Sequence, residues 1–206
     1  MKKFWEKFKF TFIYLLLIIV VIAVCVVSAL YAFHLQNRAE TADNIQKQTL
    51  SAHNYITTIS VPFEMKDDLA FNVEPEIRYY VKNTKAFYGH DEDISLHIYS
   101  ITYNTELFDD SWIPNINNMA NVSVLTIKRN KLFTNLESEK KQITVAGIKA
   151  IEVISIYRNK STNIVQRIVH VPTNTCTWSF KATYKNNLKN TQIVSKILES
   201  IVISSN

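Results

Sequence analysis

Cys176 and His170 are residue types that can serve as a nucleophile and its general base, and both lie near the tip of a predicted hairpin. A shift of one residue in strand register moves every side chain to the opposite face, so the register decides whether the two can meet. Pairing Val171 with Cys176 and Val169 with Trp178 brings apolar side chains together and puts His170 on the polar face. The pattern therefore favours a buried structural cysteine, and it predicts no catalytic residue.

The run His90-Asp91-Glu92-Asp93 offers potential nitrogen and oxygen ligands for a hard cation. Consecutive residues cannot all point at one centre unless the loop is specially shaped, and the spacing of a calcium loop is absent. A solvated acidic turn is the favoured interpretation. The sequence therefore predicts no metal site.

Aromatic residues are the third feature that could bind a ligand. On a sheet they either fill the core or line a pocket for an apolar or sugar-like molecule, and the sequence leaves both open. The chain has only two glycines, which argues against a glycine-rich nucleotide loop, and it has neither zinc-ligand spacing nor a serine-centred elbow. We therefore predict no cofactor. The aromatic residues in question are Tyr79, Tyr80, Phe87, Tyr88, Tyr99, Tyr103, Trp112 and Trp178.

The elements that would position these residues begin with an uncharged apolar run at 10–33. As a helix it would be about 34 Å long, enough to cross a hydrocarbon core about 30 Å thick. Four lysines precede it against the single acid Glu6, and the far flank carries only Arg38 before the next acids. This asymmetry predicts one membrane span, with the N-terminus inside and the remaining chain extracytoplasmic.

A cleaved signal peptide is the competing interpretation, since Val27-Ser28-Ala29 resembles a small-residue cleavage site. The apolar region of a signal peptide is usually about 7–15 residues, shorter than this run, so a retained anchor is favoured. Lipoprotein processing is disfavoured because Cys25 lies inside the run and follows Val24.

The net charge of +5 belongs mostly to the N-terminal segment. Residues 1–38 contain five basic residues and one acid, whereas the remainder holds 18 basic and 17 acidic residues. The outer domain is therefore nearly neutral and lacks the charge excess that nucleic-acid binding uses. The predicted partners are the membrane and a protein of the cell envelope, and we predict no nucleic-acid partner.

These features predict four segments: a cytoplasmic basic tail at 1–9, a transmembrane helix at 10–33, a juxtamembrane spacer at 34–54 and an extracytoplasmic domain at 55–206. A domain of about 150 residues can bury one core without disulfides. Cys176 is the only cysteine in this domain, so the sequence offers no partner for an intradomain disulfide.

Alternation of apolar and polar residues predicts an antiparallel sheet in the outer domain. The clearest strands are 94–103, 148–157 and a hairpin of 163–171 with 175–184, and alternation over 76–82 predicts another strand with one buried face. In the last strand of the hairpin, the even-numbered residues are apolar and face the core. Its odd-numbered residues, which include Thr177, Ser179 and Lys181, are expected to face out.

Helices are predicted to cover this sheet. One begins near Asp110 or Ser111, and the stretch 122–141 is expected to extend it before a strand returns. The other begins near Thr191, is capped by Asn190 or Thr191, and carries a single apolar stripe. The predicted class is α+β: an antiparallel β-sheet flanked by helices, preceded by one N-terminal transmembrane helix.

The order and spacing of the C-terminal elements resemble the PsbP-like superfamily. The resemblance rests on the turn at 143–150 leading into a long strand, Arg167 on the following hairpin, the segment 177–180 and the helix around 197–201. That group includes the photosystem II subunit PsbP and DcrB-type bacterial envelope proteins. The resemblance implies a PsbP-like fold and a domain that binds or organises other proteins without being an enzyme, and it carries over no site residue.

The sequence therefore predicts a membrane-anchored, extracytoplasmic module for protein interaction or envelope assembly. Two alternatives stay open. One is a carrier of a small molecule or lipid in an aromatic pocket, and the other is a scaffold subunit of a secretion system.

Overall fold

The computed structural model describes residues 20, 22–30, 45–73, 77–108 and 114–205. The chain divides into two compact units, 1–45 and 46–206. In the first unit, residues 20 and 22–30 are helical and their side chains are exposed. Within the described ranges, no helix combines the length and apolarity that crossing a membrane requires. Most of the predicted span at 10–33 lies outside the described residues, so the single span stays a prediction.

The second unit is built mainly of strands, and its described helices follow the fifth and ninth of them. Short 3₁₀ turns occupy Arg78–Tyr80 and Thr105–Leu107. The elements, in chain order, are β1 (Gln46–Ala52), β2 (Tyr55–Val61), β3 (Lys66–Asp67), β4 (Val81–His90), β5 (Ile94–Tyr103), α1 (Ile116–Arg129), β6 (Phe133–Val145), β7 (Ile148–Asn159), β8 (Thr162–Pro172), β9 (Cys176–Lys185), α2 (Leu188–Glu199) and β10 (Val202–Ser205).

All strand pairs are antiparallel, and they form two sheets. The larger has seven strands in the order β3-β4-β5-β9-β8-β7-β6, and the smaller has three in the order β1-β2-β10. β9 and β5 therefore lie at the centre of the large sheet although α1 and three strands separate them in sequence. The predicted α+β class, with antiparallel strands and flanking helices, is confirmed.

One face of the large sheet carries the main core, together with α2 and the small sheet. Trp178 and Phe180 of β9 are fully buried on this face. Val194 and Ile197 of α2 and Ile59 of β2 pack into the same cluster. Burial of apolar surface of this kind is the main stabilising contribution to a fold. The predicted apolar faces of β9 and of the terminal helix are thus confirmed.

The opposite face of the large sheet is covered as well. Helix α1 packs against β6, β7 and β8 on this face, and Ala120 lies over Ile151 and Ile168. Thr177 and Ser179 of β9 point to this side and are fully buried. The expectation that they face solvent is wrong, because a second layer of structure covers the face that alternation alone marks as polar.

The folded unit begins before the predicted boundary at Tyr55. β1 pairs along its whole length with β2, and β10 pairs with the other edge of β2. The predicted spacer at 34–54 therefore contains a strand of the domain. Only Leu50 and Ala52 are buried in β1, so its apolar residues are too sparse to reveal it.

The predicted strand at 76–82 is also different in the structure. The ladder between β4 and β5 begins only at the pair Val81 and Tyr103, and a 3₁₀ turn precedes it. Ile77 and Tyr79 are 40% and 72% exposed. The alternation of apolar and polar residues extends to the N-terminal side of β4, but the described residues there, 77–80, do not pair with a neighbouring strand.

Helix α1 confirms part of its prediction. Asn115 is its N-cap, and the Asn115 side chain accepts a hydrogen bond from the backbone N–H of Asn118. Helix α1 begins at Ile116, later than the predicted start near Asp110 or Ser111, two residues that lie outside the described ranges. The helix then continues to Arg129, and β6 follows, as expected for the stretch 122–141.

Helix α2 begins earlier than predicted. Asn187 is the N-cap, and its side chain accepts a hydrogen bond of 2.8 Å from the backbone N–H of Asn190. The proposed caps Asn190 and Thr191 lie inside the helix, and Asn190 is buried. The first helical residue, Leu188, is 70% exposed, so it does not belong to the apolar stripe from which the start was predicted.

Candidate functional site

A cavity of about 640 Å³ lies on the face of the large sheet that α1 partly covers. Side chains of β5 and β8, including Ile101 and Ile168, form its floor. Met119 and Ile127 of α1 form one wall, and the segments that flank β4 and β5 form the other. The lining is mostly apolar and the cavity opens to solvent.

The position of α1 explains why a cavity exists here. The helix packs against β6, β7 and β8, which form one half of the sheet. β5 and β9 direct side chains to the same face, but they lie beside the helix and not under it. The space above these two strands is closed only in part, by irregular segments.

Aromatic rings supply much of the cavity wall. The rings of Phe71 and Tyr99 are stacked, with centroids 5.0 Å apart and an interplanar angle of 26°. Tyr80 and Phe108 lie with centroids 6.0 Å apart. Tyr103 also lines the space. Aromatic rings present large apolar surfaces with few rotamers, which suits a preformed binding site.

The aromatic residues identified from sequence divide between cavity and core. Tyr80, Tyr99 and Tyr103 line the cavity. Phe87 and Trp178 lie in the main core. The two interpretations left open by the sequence therefore apply to different residues of the same set.

The remaining aromatic residues of that set are not among the described residues that line the cavity. Further aromatic residues that do line it were not identified from the sequence. Tyr79 is exposed, Tyr88 borders a separate depression, and Trp112 lies outside the described residues. Phe71 and Phe108 line the cavity but lie in segments without strand or helix periodicity. No local pattern distinguishes such residues from exposed loop aromatics, so only the folded structure reveals them.

His170 joins α1 to the sheet at one side of the cavity. Its Nε2 lies 3.0 Å from Ser123 Oγ, and its Nδ1 lies 2.8 Å from Ser179 Oγ. The Ser123 hydroxyl donates to the carbonyl of Met119, one turn earlier in α1, at 3.0 Å. Ser123 therefore accepts from the Nε2–H group of His170, and the Ser179 hydroxyl donates to Nδ1. Ser179 also contacts the Tyr99 hydroxyl, which extends the chain across β5.

Burial lowers the pKa of His170 from 6.5 to about 4, so the imidazole is neutral near pH 7. The Ser123–His170 contact resembles a nucleophile and its base. However, Ser123 lies in the interior of α1, where the surrounding backbone N–H groups are hydrogen-bonded within the helix. Its hydroxyl proton is directed to Met119 O and not to the imidazole. The geometry therefore describes a buried polar link between helix and sheet.

The structure places Cys176 and His170 on opposite faces of the sheet. Cys176 Sγ lies 2.9 Å from Ser100 Oγ on the main-core side, and burial raises the pKa of its thiol. His170 is paired with Ser179, and Val171 with Trp178.

The predicted pairing of Val171 with Cys176 is wrong by two residues. The hairpin closes more tightly than expected, with the Thr173 N–H donating to the Cys176 carbonyl at 2.7 Å. A shift of two residues preserves the faces, which is why the predicted separation of thiol and imidazole still holds.

The acidic run at 90–93 forms a turn between β4 and β5. Asp91 Oδ1 accepts hydrogen bonds from the backbone N–H groups of Asp93 and Ile94, at 2.8 and 2.7 Å. Asp93 forms an ion pair with Lys185 at 2.6 Å. Among the described residues, no group of three or more His, Cys, Asp or Glu side chains could hold a metal ion.

Comparison with known proteins identifies no family. No family model and no curated protein matches the chain. Two solved structures with similar folds are LpqN, described as involved in cell envelope biogenesis of Mycobacterium tuberculosis, and PA94 of Pseudomonas aeruginosa, a protein of unknown function described as a putative regulator. LpqN is 12% identical, with 80% of this chain and 95% of that chain covered and a TM-score of 0.42. PA94 is 8% identical, with 76% and 96% covered and a TM-score of 0.40.

At these values neither similarity supports a functional argument. The PsbP-like resemblance stays a prediction, and the proposals below rest on this chain's own residues.

Proposed function

We propose that the outer domain binds an apolar molecule, such as one with a hydrocarbon chain, in the cavity beside α1, without transforming it. The observation that carries this proposal is the cavity itself, about 640 Å³ in volume and lined mainly by aromatic and aliphatic side chains. Small-molecule sites in proteins typically measure about 300–1,000 Å³ and combine apolar walls with a few polar groups.

Transfer of a hydrocarbon chain into such a space is favourable, at roughly 0.8 kcal/mol for each methylene group removed from water. The walls need little reorganisation, because Tyr99 stacks on Phe71 and Tyr103 donates to Met119 Sδ. Preorganisation of this kind lowers the entropic cost of binding.

The proposed setting is the cell envelope, with the chain anchored in the membrane by residues 10–33 and the domain on the outer side. The apolar run, the lysines before it and the PsbP-like resemblance support this placement. A tether would raise the effective concentration of the cavity near membrane-derived ligands. Protease added outside intact cells should then digest the C-terminal domain and leave a membrane-protected N-terminal fragment. Protection of the domain would contradict this placement.

The binding proposal can be tested with the full-length chain in its native membranes. Hexadecanol with a diazirine in its chain would be added and irradiated, and modified residues would be located by mass spectrometry. We expect modification of cavity-lining residues such as Ile101, Met119 and Ile127. Modification confined to residues outside the cavity would overturn the proposal.

A pair of variants on α1 sharpens this test. Thr126 is exposed and lies at the cavity, so Thr126→Trp should place an indole in the opening and reduce cavity labelling by about fivefold. Lys128 is exposed on the same helix and does not line the cavity, so Lys128→Trp should leave labelling unchanged. Equal labelling in the two variants would count against binding in this cavity.

A second candidate function is the predicted module for protein interaction or envelope assembly. Apolar side chains exposed near the cavity favour it: Tyr79 is 72% exposed, and Val122 and Leu125, one turn apart on α1, are 50% and 45% exposed. A photo-crosslinker at Leu125 should then yield a defined heteromeric product in intact cells, while one at the exposed Gln192 of α2 should not. Recovery of only uncrosslinked monomer from both positions would contradict this function.

A further inference from the structure

Lys181 is the one Lys, Arg, Asp or Glu residue of the described cavity lining. It lies on the central strand β9, paired with His97 of β5 on one side and with Ile168 of β8 on the other. Its side chain is partly buried and borders both the apolar cavity and a separate depression of about 700 Å³. The side chain of Lys181 therefore borders both an apolar space and a polar one.

The acidic side chains that line the polar depression contact lysines other than Lys181, or a histidine. Glu64 pairs with Lys66 at 3.3 Å, Asp67 pairs with Lys85, and Asp68 Oδ2 lies 3.0 Å from His97 Nε2. Within the described residues, Lys181 forms no ion pair with any of them. Among the residues that the structure describes, this partly buried lysine therefore has no counter-ion.

Desolvation of the Lys181 ammonium makes this arrangement costly. Burial lowers the pKa of Lys181 and is the cause of its shift. Burial lowers the pKa of His97, and Lys181 lowers it further, since a second positive charge beside it would be repelled. An anion near Lys181 would relieve both effects.

The other polar groups in the described lining of the cavity do not offer a positive charge to an anionic ligand. His170 is neutral and both of its ring nitrogens are hydrogen-bonded to serines. The part of the lining that the structure describes contains no Asp, Glu or Arg. Within the described lining of the apolar cavity, a negatively charged ligand group would therefore find one lysine and no acidic side chain.

We propose that the ligand is an amphiphile with an anionic head group, which binds at Lys181 while its hydrocarbon chain lies along the aromatic wall of the cavity. The inference rests on the proposed apolar-binding function and specifies the class of ligand. The chemistry is shared by a fatty acid and by an alkyl phosphate, which place a carboxylate or a phosphate at one end of an apolar chain. The observation behind it is a lysine without an ion pair among the described residues, at a cavity whose described lining holds no other charged side chain.

The experiment uses the full-length chain in membranes at pH 8, with cavity labelling by the diazirine hexadecanol as its readout. Palmitic acid, hexadecyl phosphate and unlabelled hexadecanol would each be added as competitors. In the unmodified protein we expect both anions to compete at about tenfold lower concentration than the alcohol, which corresponds to about 1.4 kcal/mol.

The variants isolate the contribution of the charge. Lys181→Met keeps the apolar stem and should abolish the preference for anions, whereas Lys181→Arg should retain it. Each competitor partitions into the same membranes in every arm, so the change in the acid-to-alcohol ratio between variants is the decisive quantity. Retained labelling by the neutral probe shows that a variant is folded with its cavity intact.

The outcomes separate this inference from the function on which it rests. An equal potency of acid and alcohol in the unmodified protein, or an anion preference that survives in Lys181→Met, would overturn the head-group assignment while leaving apolar binding in place. Absence of cavity labelling by the neutral probe would instead overturn the proposed function.

Discussion

His170 Nε2 lies 3.0 Å from Ser123 Oγ, and this contact ties the middle of α1 to the sheet beside the proposed binding cavity. His170 is 1% exposed and its Nδ1 is bonded to Ser179, so its polar atoms are satisfied without water. The arrangement requires a neutral imidazole, because each ring nitrogen has a fixed role as donor or acceptor. Protonation would convert the acceptor Nδ1 into a donor facing a hydroxyl that already donates to it.

This relationship predicts that the domain loses stability in mild acid. The pKa of His170 is about 4 in the folded state and 6.5 in its unperturbed state, so the unfolded chain binds the additional proton first. Stability from this group is therefore complete above pH 6.5 and is lost as the pH falls toward 4, with a total on the order of 3 kcal/mol. Urea unfolding at pH 7 and pH 4.5 would measure it.

A matched variant assigns the effect to this residue. Burial also lowers the pKa values of His53 and His97, so these residues contribute in the same direction. His170→Gln should remove most of the difference between pH 7 and pH 4.5, whereas His97→Gln should remove a smaller part. A pH dependence that is unchanged in His170→Gln would contradict the prediction.

The strands and the terminal helix could be predicted because their core faces are periodic in sequence, as the alternation through Trp178 and Phe180 shows. The cavity could not be predicted from the sequence. Lys181 follows the same alternation as an exposed polar residue. Helix α1 over the neighbouring strands and the segments that flank β4 and β5 enclose part of that face, and they come from distant parts of the chain. Likewise, the His170–Ser123 link joins residues on two elements whose local patterns carry no sign of the contact.

Gly89, near the edge of the large sheet, is a position where we expect a larger side chain to destabilise the fold. A methyl group there would lie 2.6 Å from Met65 Sδ and 2.7 Å from the Glu64 carbonyl oxygen. The Met65 side chain can move, but the backbone carbonyl cannot move without displacing β3. Gly89→Ala should therefore lower the free energy of unfolding by about 1–3 kcal/mol. Asn83→Ala, at an exposed position on the same strand, should change it little, and equal effects of the two substitutions would contradict the steric explanation.

Glu152, which is buried, and Arg167, which is partly buried, form an ion pair between β7 and β8, and the two side chains should be energetically coupled. Arg167 donates to Glu152 at 2.7 Å and also to Ser195 of α2 at 2.7 Å, which links the sheet to the helix. Glu152→Leu alone leaves the guanidinium without its counter-ion and should cost about 3 kcal/mol. Glu152→Leu combined with Arg167→Met should cost less than the sum of the single changes, by about 2 kcal/mol.

A double-mutant cycle from urea unfolding measures this coupling. Ser195→Ala serves as a comparison, since it removes a neutral partner of Arg167 and should cost about 1 kcal/mol. Strict additivity of Glu152→Leu and Arg167→Met would show that the two side chains do not interact appreciably in solution.

The turn between β6 and β7 offers a stabilising substitution. Ala146 and Gly147 both have positive φ angles, 49° and 82°, as a two-residue hairpin loop between Val145 and Ile148 requires. Glycine adopts this region freely, whereas alanine pays a steric cost there and asparagine pays less. Ala146→Asn should therefore raise the free energy of unfolding by about 0.5–1 kcal/mol without altering the register. Lys149→Asn, an exposed change on β7, should give no such gain, so a similar increase in both variants would show that turn conformation is not the cause.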